Sequence, residues 1–189
     1  MCAPRPHAYY RDCSTAERVP CAASCALAVL FAAHCHKDQH PTNLYLTLGF
    51  TVALAWGVAV TCARFQRAGL GLVVLEAVGL TASVTTGLTL YTLRSKQDFS
   101  YLGAGLGAGL WVLIIGGLIA SLTGLSGMHF ALSVGGAALF SLYIVYDVHE
   151  ISKRMSPDEY VPAAISLYLD IVNLFLHILR ILAAMHQRD

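Results

Sequence analysis

Charge is scarce in this sequence. Asp, Glu, Lys and Arg supply only 12% of its 189 residues, about half the ~25% usual in soluble domains. The 48 residues from Phe99 to Tyr146 carry no formal charge, residues 39–63 carry none, and residues 68–93 hold only Glu76. So little polar surface excludes a soluble protein wrapped around one large core. A net charge of +1 leaves no basic face for nucleic acid. The motifs of catalysis are missing too. The run GAGLGAGL (Gly103–Leu110) lacks the Lys and Ser/Thr of a phosphate-binding loop, and no Ser–His or Cys–His constellation stands out, so no enzyme is expected. Cysteine is confined to the first third, at Cys2, Cys13, Cys21, Cys25, Cys35 and Cys62. Cys21 and Cys25, one helical turn apart, are marginally placed for a disulfide and read better as small buried residues.

What fills the chain is one hydrophobic run after another. About 20 apolar residues cross the hydrocarbon core as a helix, and six segments approach or exceed that length: 19–33, 43–63, 69–93, 101–122, 128–147 and 161–185. The expected fold class is all-α, a polytopic membrane helical bundle of about six hydrophobic helices surrounded by the lipid bilayer. Residues 1–20 read as a polar, disordered leader, 21–185 as one transmembrane bundle and 186–189 as a C-terminal tail. With six spans, Lys and Arg divide seven to five between the two sides, which favours both ends in the cytosol.

Polar residues inside the spans are costly and face inward by default. In ISLYLDIVNLFLHILR (Ile165–Arg180), Ser166, Asp170, Asn173, His177 and Arg180 step by four, three, four and three, the spacing of one helix face. A second stripe, Glu76, Gly79, Ser83 and Thr86, is expected to point inward from its own helix. Gly105, Gly109, Gly116 and Ala120 form a small-residue stripe that reads as helix packing. Asp147, with Tyr143 one turn back, precedes a polar loop, and Asp170 lies about 13 Å into the next helix at 1.5 Å per residue. If the first helix runs a turn past Asp147, the two carboxyls reach similar depth. Two close carboxylates in a dry setting cannot both ionise, so they share a proton. Such a pair is a pH-sensitive latch: protonated it ties two helices, ionised it repels and attracts a hard cation through oxygen. The alternative is that each Asp satisfies separate backbone or tyrosine groups.

The segment FSLYIVYDVHEISKRMSPDEYVPAAISLYLDIVNLFLHILRIL (Phe140–Leu182) resembles the C-terminal signature of the transmembrane Bax inhibitor motif family. GLTLYTLRSKQDFSYLGAGLGAGLW (Gly87–Trp111) and HPTNLYLTLGFT (His40–Thr51) are similar to its Golgi anti-apoptotic, or lifeguard, branch. The resemblance implies a seven-helix calcium-leak fold with a central helix, here without its first helix, so that the chain reads as N-terminally shortened. It implies a proton-sharing gate at Asp147 and Asp170, with no cofactor and with calcium as the permeant ion passing transiently at those two acids. Glu76 would sit on the cation path. Ser166, Asn173, His177 and Tyr143 would line or brace the polar seam, while Arg180 would snorkel to the membrane edge. Where some members carry an arginine cluster, this chain reads HCHKDQH, and Lys37 is the candidate gate-side cation, without arginine's bidentate fork.

The function this implies is a pH-sensitive calcium leak in a Golgi or endoplasmic-reticulum membrane that lowers stored calcium and inhibits apoptosis. The alternative is a non-conducting interaction protein whose partners are apoptosis regulators or calcium-release channels. A third reading, metal binding or redox chemistry at His34, Cys35, His36 and His40, is weakened because neighbours in a short loop close a tetrahedral site poorly. Paired membrane aspartates also suggest a presenilin-like protease, but LYLDIVN stands where the second Gly-x-Gly-Asp motif would be.

Overall fold

The computed structural model describes residues 42–154 and 160–187. Among them every regular element is helical: α1 Thr42–Arg67, α2 Gly71–Arg94, α3 Leu102–Thr123, α4 Ser126–Lys153 and α5 Tyr160–His186. All five are long and apolar enough to cross a membrane, so the protein is a multi-pass integral membrane protein. These helices match the last five hydrophobic segments of the sequence. The run 19–33, the leader 1–20, Lys37 and the His34–His40 cluster lie outside the described residues.

The chain divides into two units at Arg64 and Phe65. The first unit holds most of α1, whose Thr61 hydroxyl donates to the Gly57 carbonyl. The second carries α2 to α5. The breaks between its helices follow from local chemistry. Gly69 (φ 81°) and Gly124 (φ 65°) adopt the left-handed conformation that glycine takes without steric cost. Gly124 donates its N–H to the Ala120 carbonyl to close α3.

Within the second unit α4 is the central element, packing against α2, α3 and α5, while α5 also packs against α2. Two apolar clusters hold these helices. One joins Leu70, Val73 and Ala77 at the start of α2 to Leu179 and Ala183 near the end of α5. The other joins Phe140, Ile144 and Val148 of α4 to Leu174 of α5, with Val84 and Leu88 of α2 against it. With the start of α2 against the end of α5 and Val84 and Leu88 at the level of Leu174, α2 and α5 run antiparallel. Ile144, Leu174 and Leu179 are fully buried, so truncating one to Ala leaves a cavity of the kind that costs roughly 2–5 kcal/mol in soluble cores. Outward, Leu72, Trp111 and Leu122 are exposed, as lipid-facing residues must be.

The glycines of α3 seat that helix on α4. A Cβ at Gly109 would lie 2.6 Å from Leu139, and one at Gly116 would lie 2.8 Å from Leu132. Ala120 is fully buried. Gly105, expected in the same stripe, meets nothing, and Gly103 takes its place with Tyr146 at 3.1 Å. The small-residue stripe is thus real, as packing, but shifted at its start.

Several hydroxyls inside these spans are bonded within their own helix. Thr81 donates to Ala77, Thr92 to Leu88, Ser133 to His129 and Ser141 to Ala137, at 2.7–2.8 Å. Such back-bonding lets a hydroxyl sit in an apolar span without any partner helix.

Candidate functional site

The site is built on the antiparallel crossing of α4 and α5. His177 of α5 lies face-on to Phe140 of α4, ring centroids 5.6 Å apart and planes at 25°. Gly136 makes room for it: a Cβ there would come within 2.6 Å of the His177 ring nitrogens. Asp147 lies seven residues beyond Phe140 on α4, and Asp170 lies seven residues before His177 on α5. Seven residues are close to two turns, so both helices return to the same face at the same level. The side chains of Asp147 and Asp170 accordingly lie within hydrogen-bonding reach of each other. α4 makes this contact possible by continuing past Asp147 to Lys153.

Asp170 is 7% exposed, and its Oδ2 is buried without a hydrogen-bond partner. Asp147 is half-buried and borders a cleft of about 210 Å³ with Tyr146, Glu150, Ile151, Ala163 and Ser166. The inner acid is therefore dry and the outer one reaches a polar opening. Tyr143 lies near both acids and stacks on Phe140 at 5.9 Å. With both acids ionised, two like charges confront each other across the helix seam. The pair offers too few oxygens for a resident calcium ion, which takes six to eight, and suits at most a passing one.

The other sequence-derived residues fall into two groups. Ser166 opens on the cleft beside Asp147. Asn173 shares the face, but its amide donates to the Leu169 carbonyl at 2.9 Å on its own helix. His177 is fixed by Phe140 and Gly136, and its Nδ1 is buried without a hydrogen-bond partner. Arg180 is exposed, less than two turns from the end of α5 at His186. The inward turn expected of the Glu76 stripe is not what the helix shows: Glu76, Gly79, Ser83 and Thr86 are all exposed, on the side of α2 away from buried Val73, Ala77 and Thr81. Ser83 spends its hydroxyl on the Gly79 carbonyl. The α2 face that packs is the more apolar one.

Residues that sequence reasoning passed over surround Asp147. Tyr146 rests on Gly103, Glu150 borders the cleft with an Arg154 ion pair at 3.0 Å, and buried His149 lies 3.5 Å from Asp98 of the α2–α3 loop. The one available signal was their position in VYDVHE, flanking the acid.

Fold and site thus define a multi-pass helical membrane protein in which acids from two adjoining spans meet. Residues 18–187 match the family described as inhibitor of apoptosis-promoting Bax1. The chain is 44% identical to protein lifeguard 4 of Mus musculus over 163 residues, which cover 86% of this chain and 67% of that relative. It is 42% identical over 163 residues, with the same shares, to the Golgi anti-apoptotic protein of Vaccinia virus (strain Lister). Protein LIFEGUARD 3 of Arabidopsis thaliana is 45% identical over 168 residues, 85% of this chain and 65% of that protein. The chain belongs to the Bax inhibitor family, as its C-terminal motifs implied.

Proposed function

We propose that this protein is a pH-sensitive calcium leak of an intracellular membrane, Golgi or endoplasmic reticulum, that lowers stored calcium and restrains apoptosis. The observation that carries the reading is the approach of Asp147 and Asp170 across the α4–α5 seam. With one proton between them, the two carboxyls form a charge-assisted hydrogen bond that draws the helices together. Loss of that proton replaces the bond by repulsion and leaves two carboxylates next to the Ser166 cleft, where a divalent cation is attracted. Leak therefore rises with pH. Membership of a family described by apoptosis inhibition, and a relative named a Golgi anti-apoptotic protein, support the cellular role and the compartment.

The test is calcium release from liposomes carrying the purified chain and an enclosed calcium dye, across pH, for the parent, Asp147→Asn and Asp170→Asn. The expected parent leak is faster at higher pH, and both variants lose that dependence. A full response in both variants would remove the gate from the pair. A second reading, a non-conducting protein that acts on cell-death regulators or other channels, is favoured by the apolar packing of Phe140, Ile144 and Leu174 next to the acids. Flux no greater than from empty vesicles would select it.

A further inference from the structure

The end of α4 that bears Asp147 is tied down from a second side. The loop between α2 and α3 folds on itself: Gln97 N–H donates to Ser95 Oγ at 3.2 Å, and the Ser100 amide and hydroxyl donate to Asp98 Oδ1 at 3.0 and 2.6 Å. This preshaped turn carries a large apolar side chain inward. Phe99 is 6% exposed and sits between two rings. Tyr91 at the end of α2 lies at 6.3 Å, and His149 of α4 lies edge-on at 5.7 Å and 88°. Edge-to-face contacts of this kind contribute beyond the area they bury. Around the insertion, Asp98 Oδ1 lies 3.5 Å from His149 Nε2, and Lys153 Nζ donates to the Gln97 carbonyl at 3.4 Å. One turn below, Tyr146 packs on Gly103, where a Cβ would lie a tight 3.1 Å from the tyrosine hydroxyl.

These contacts grip residues 146, 149 and 153 of α4, on either side of Asp147. Their partners, Gln97, Asp98, Phe99 and Gly103, belong to the α2–α3 loop and the start of α3, not to α5. Asp147, held by the loop on one side, is presented to Asp170 on the other. Neither ring nitrogen of His149 makes a hydrogen bond, the Asp98 carboxyl standing off at 3.5 Å. A buried polar ring left unsatisfied is a cost, and the aromatic seat of Phe99 is what the arrangement offers in return.

We propose that the α2–α3 loop is a strap that sets the position of the last turns of α4, with Phe99 and His149 as positioning residues for the Asp147–Asp170 contact. The inference rests on the pair being the working site, but its mechanical content does not require that ions pass. Removing Phe99 frees the end of α4 to tilt away from α5, while the α3–α4 packing at Gly116 and Leu132, far from the loop, stays in place.

Spin labels on non-natural residues leave the native cysteines alone and read this directly in the full chain in lipid nanodiscs. One labelled pair, at Leu142 of α4 and Ala164 of α5, spans the acid seam. A control pair, at Leu122 of α3 and Val134 of α4, spans the opposite end. In Phe99→Ala the seam distance is expected to broaden and shift by about 1–2 Å, the scale of helix shifts in packed bundles. The control distance stays unchanged and Phe99→Leu restores the seam. Gly103→Ala, which pushes on Tyr146 from α3, is expected to disturb the same distance by less, and serves if Phe99→Ala does not fold. An unchanged seam in whichever variant folds, or equal broadening at both ends, would overturn the strap. Calcium flux is scored separately: a strap response without flux overturns the leak reading alone, and flux without a strap response overturns the strap alone.

Discussion

Two polar stripes cross the spans of this protein with almost the same spacing, and they end in opposite places. On α5, Asp170, Asn173 and His177 turn toward α4. On α2, Glu76, Gly79, Ser83 and Thr86 stay exposed on the outside of the four-helix unit. The difference lies in the neighbour rather than the stripe. α4 presents a complement at each level: space at Gly136 and a ring at Phe140 for His177, and a second carboxyl at Asp147 for Asp170. α2 has no such complement among α3 to α5, and its Val73–Ala77 face finds Leu179 and Ala183 instead. Helical spacing defines a face. What that face meets depends on the facing side chains.

The comparison can be broken hardest on the α5 side. Asp170→Asn keeps a hydrogen-bonding partner for Asp147 but removes the second charge that would repel it on ionisation, so the ratio of leak at alkaline to acid pH is expected to fall to about one. Liposome flux measures it. Gly136→Ala drives a methyl into the His177 ring, and overpacking of this kind costs roughly 1–3 kcal/mol. Thermal unfolding in detergent measures the loss, and His177→Ala in the same chain is expected to recover most of it. An unaltered melting temperature in Gly136→Ala would mean that the ring does not lie there.

On the α2 side effects should be small. Glu76→Gln is expected to change stability by no more than ~0.5 kcal/mol, as for most exposed sites, and to leave the pH response of leak intact. A large fall in conductance would instead place Glu76 on the ion path, against a neighbour beyond the four-helix unit. Smallest is the effect of Ser100→Ala at the loop. The Ser100 hydroxyl and amide hold the Asp98 carboxyl below the usual carboxylate range, with His149 and Lys153 adding to the effect. A lowered carboxyl contributes stability above its unfolded value and loses it as pH falls through the folded one. Without the hydroxyl, Asp98 titrates nearer the usual range, so loop order is lost at a less acid pH. A carbon-13 titration of the Asp98 carboxyl reads that shift.

The sequence already contained the helices, since a chain this poor in charge with breaks at Gly69 and Gly124 has few other ways to fold. It also contained the two acids, because Asp147 and Asp170 are conspicuous among Leu, Ile and Tyr. That they are level with each other depended on α4 running to Lys153, which composition alone left open because the polar letters HEISK can be loop or helix. The orientation of Glu76 was not legible: periodicity gave its stripe correctly but could not say which side of α2 would pack. Asn173 illustrates the same limit at smaller scale, for its place on the face was readable while its bond to Leu169 was not. The loop contacts of Phe99 and His149 join residues about fifty positions apart, beyond the reach of local pattern.

The central claim is a single hydrogen held between carboxyls of adjoining membrane helices, and infrared spectroscopy of the chain with isotope-labelled aspartate, in nanodiscs, observes it most directly. A carboxylic-acid C=O band should fade over the same pH interval in which calcium leak rises, and in both Asp147→Asn and Asp170→Asn the remaining acid's band should move in frequency and titrate over a different pH interval. A band unchanged in frequency and pH interval in both variants, or a parent that shows none at any pH where leak changes, would contradict the account.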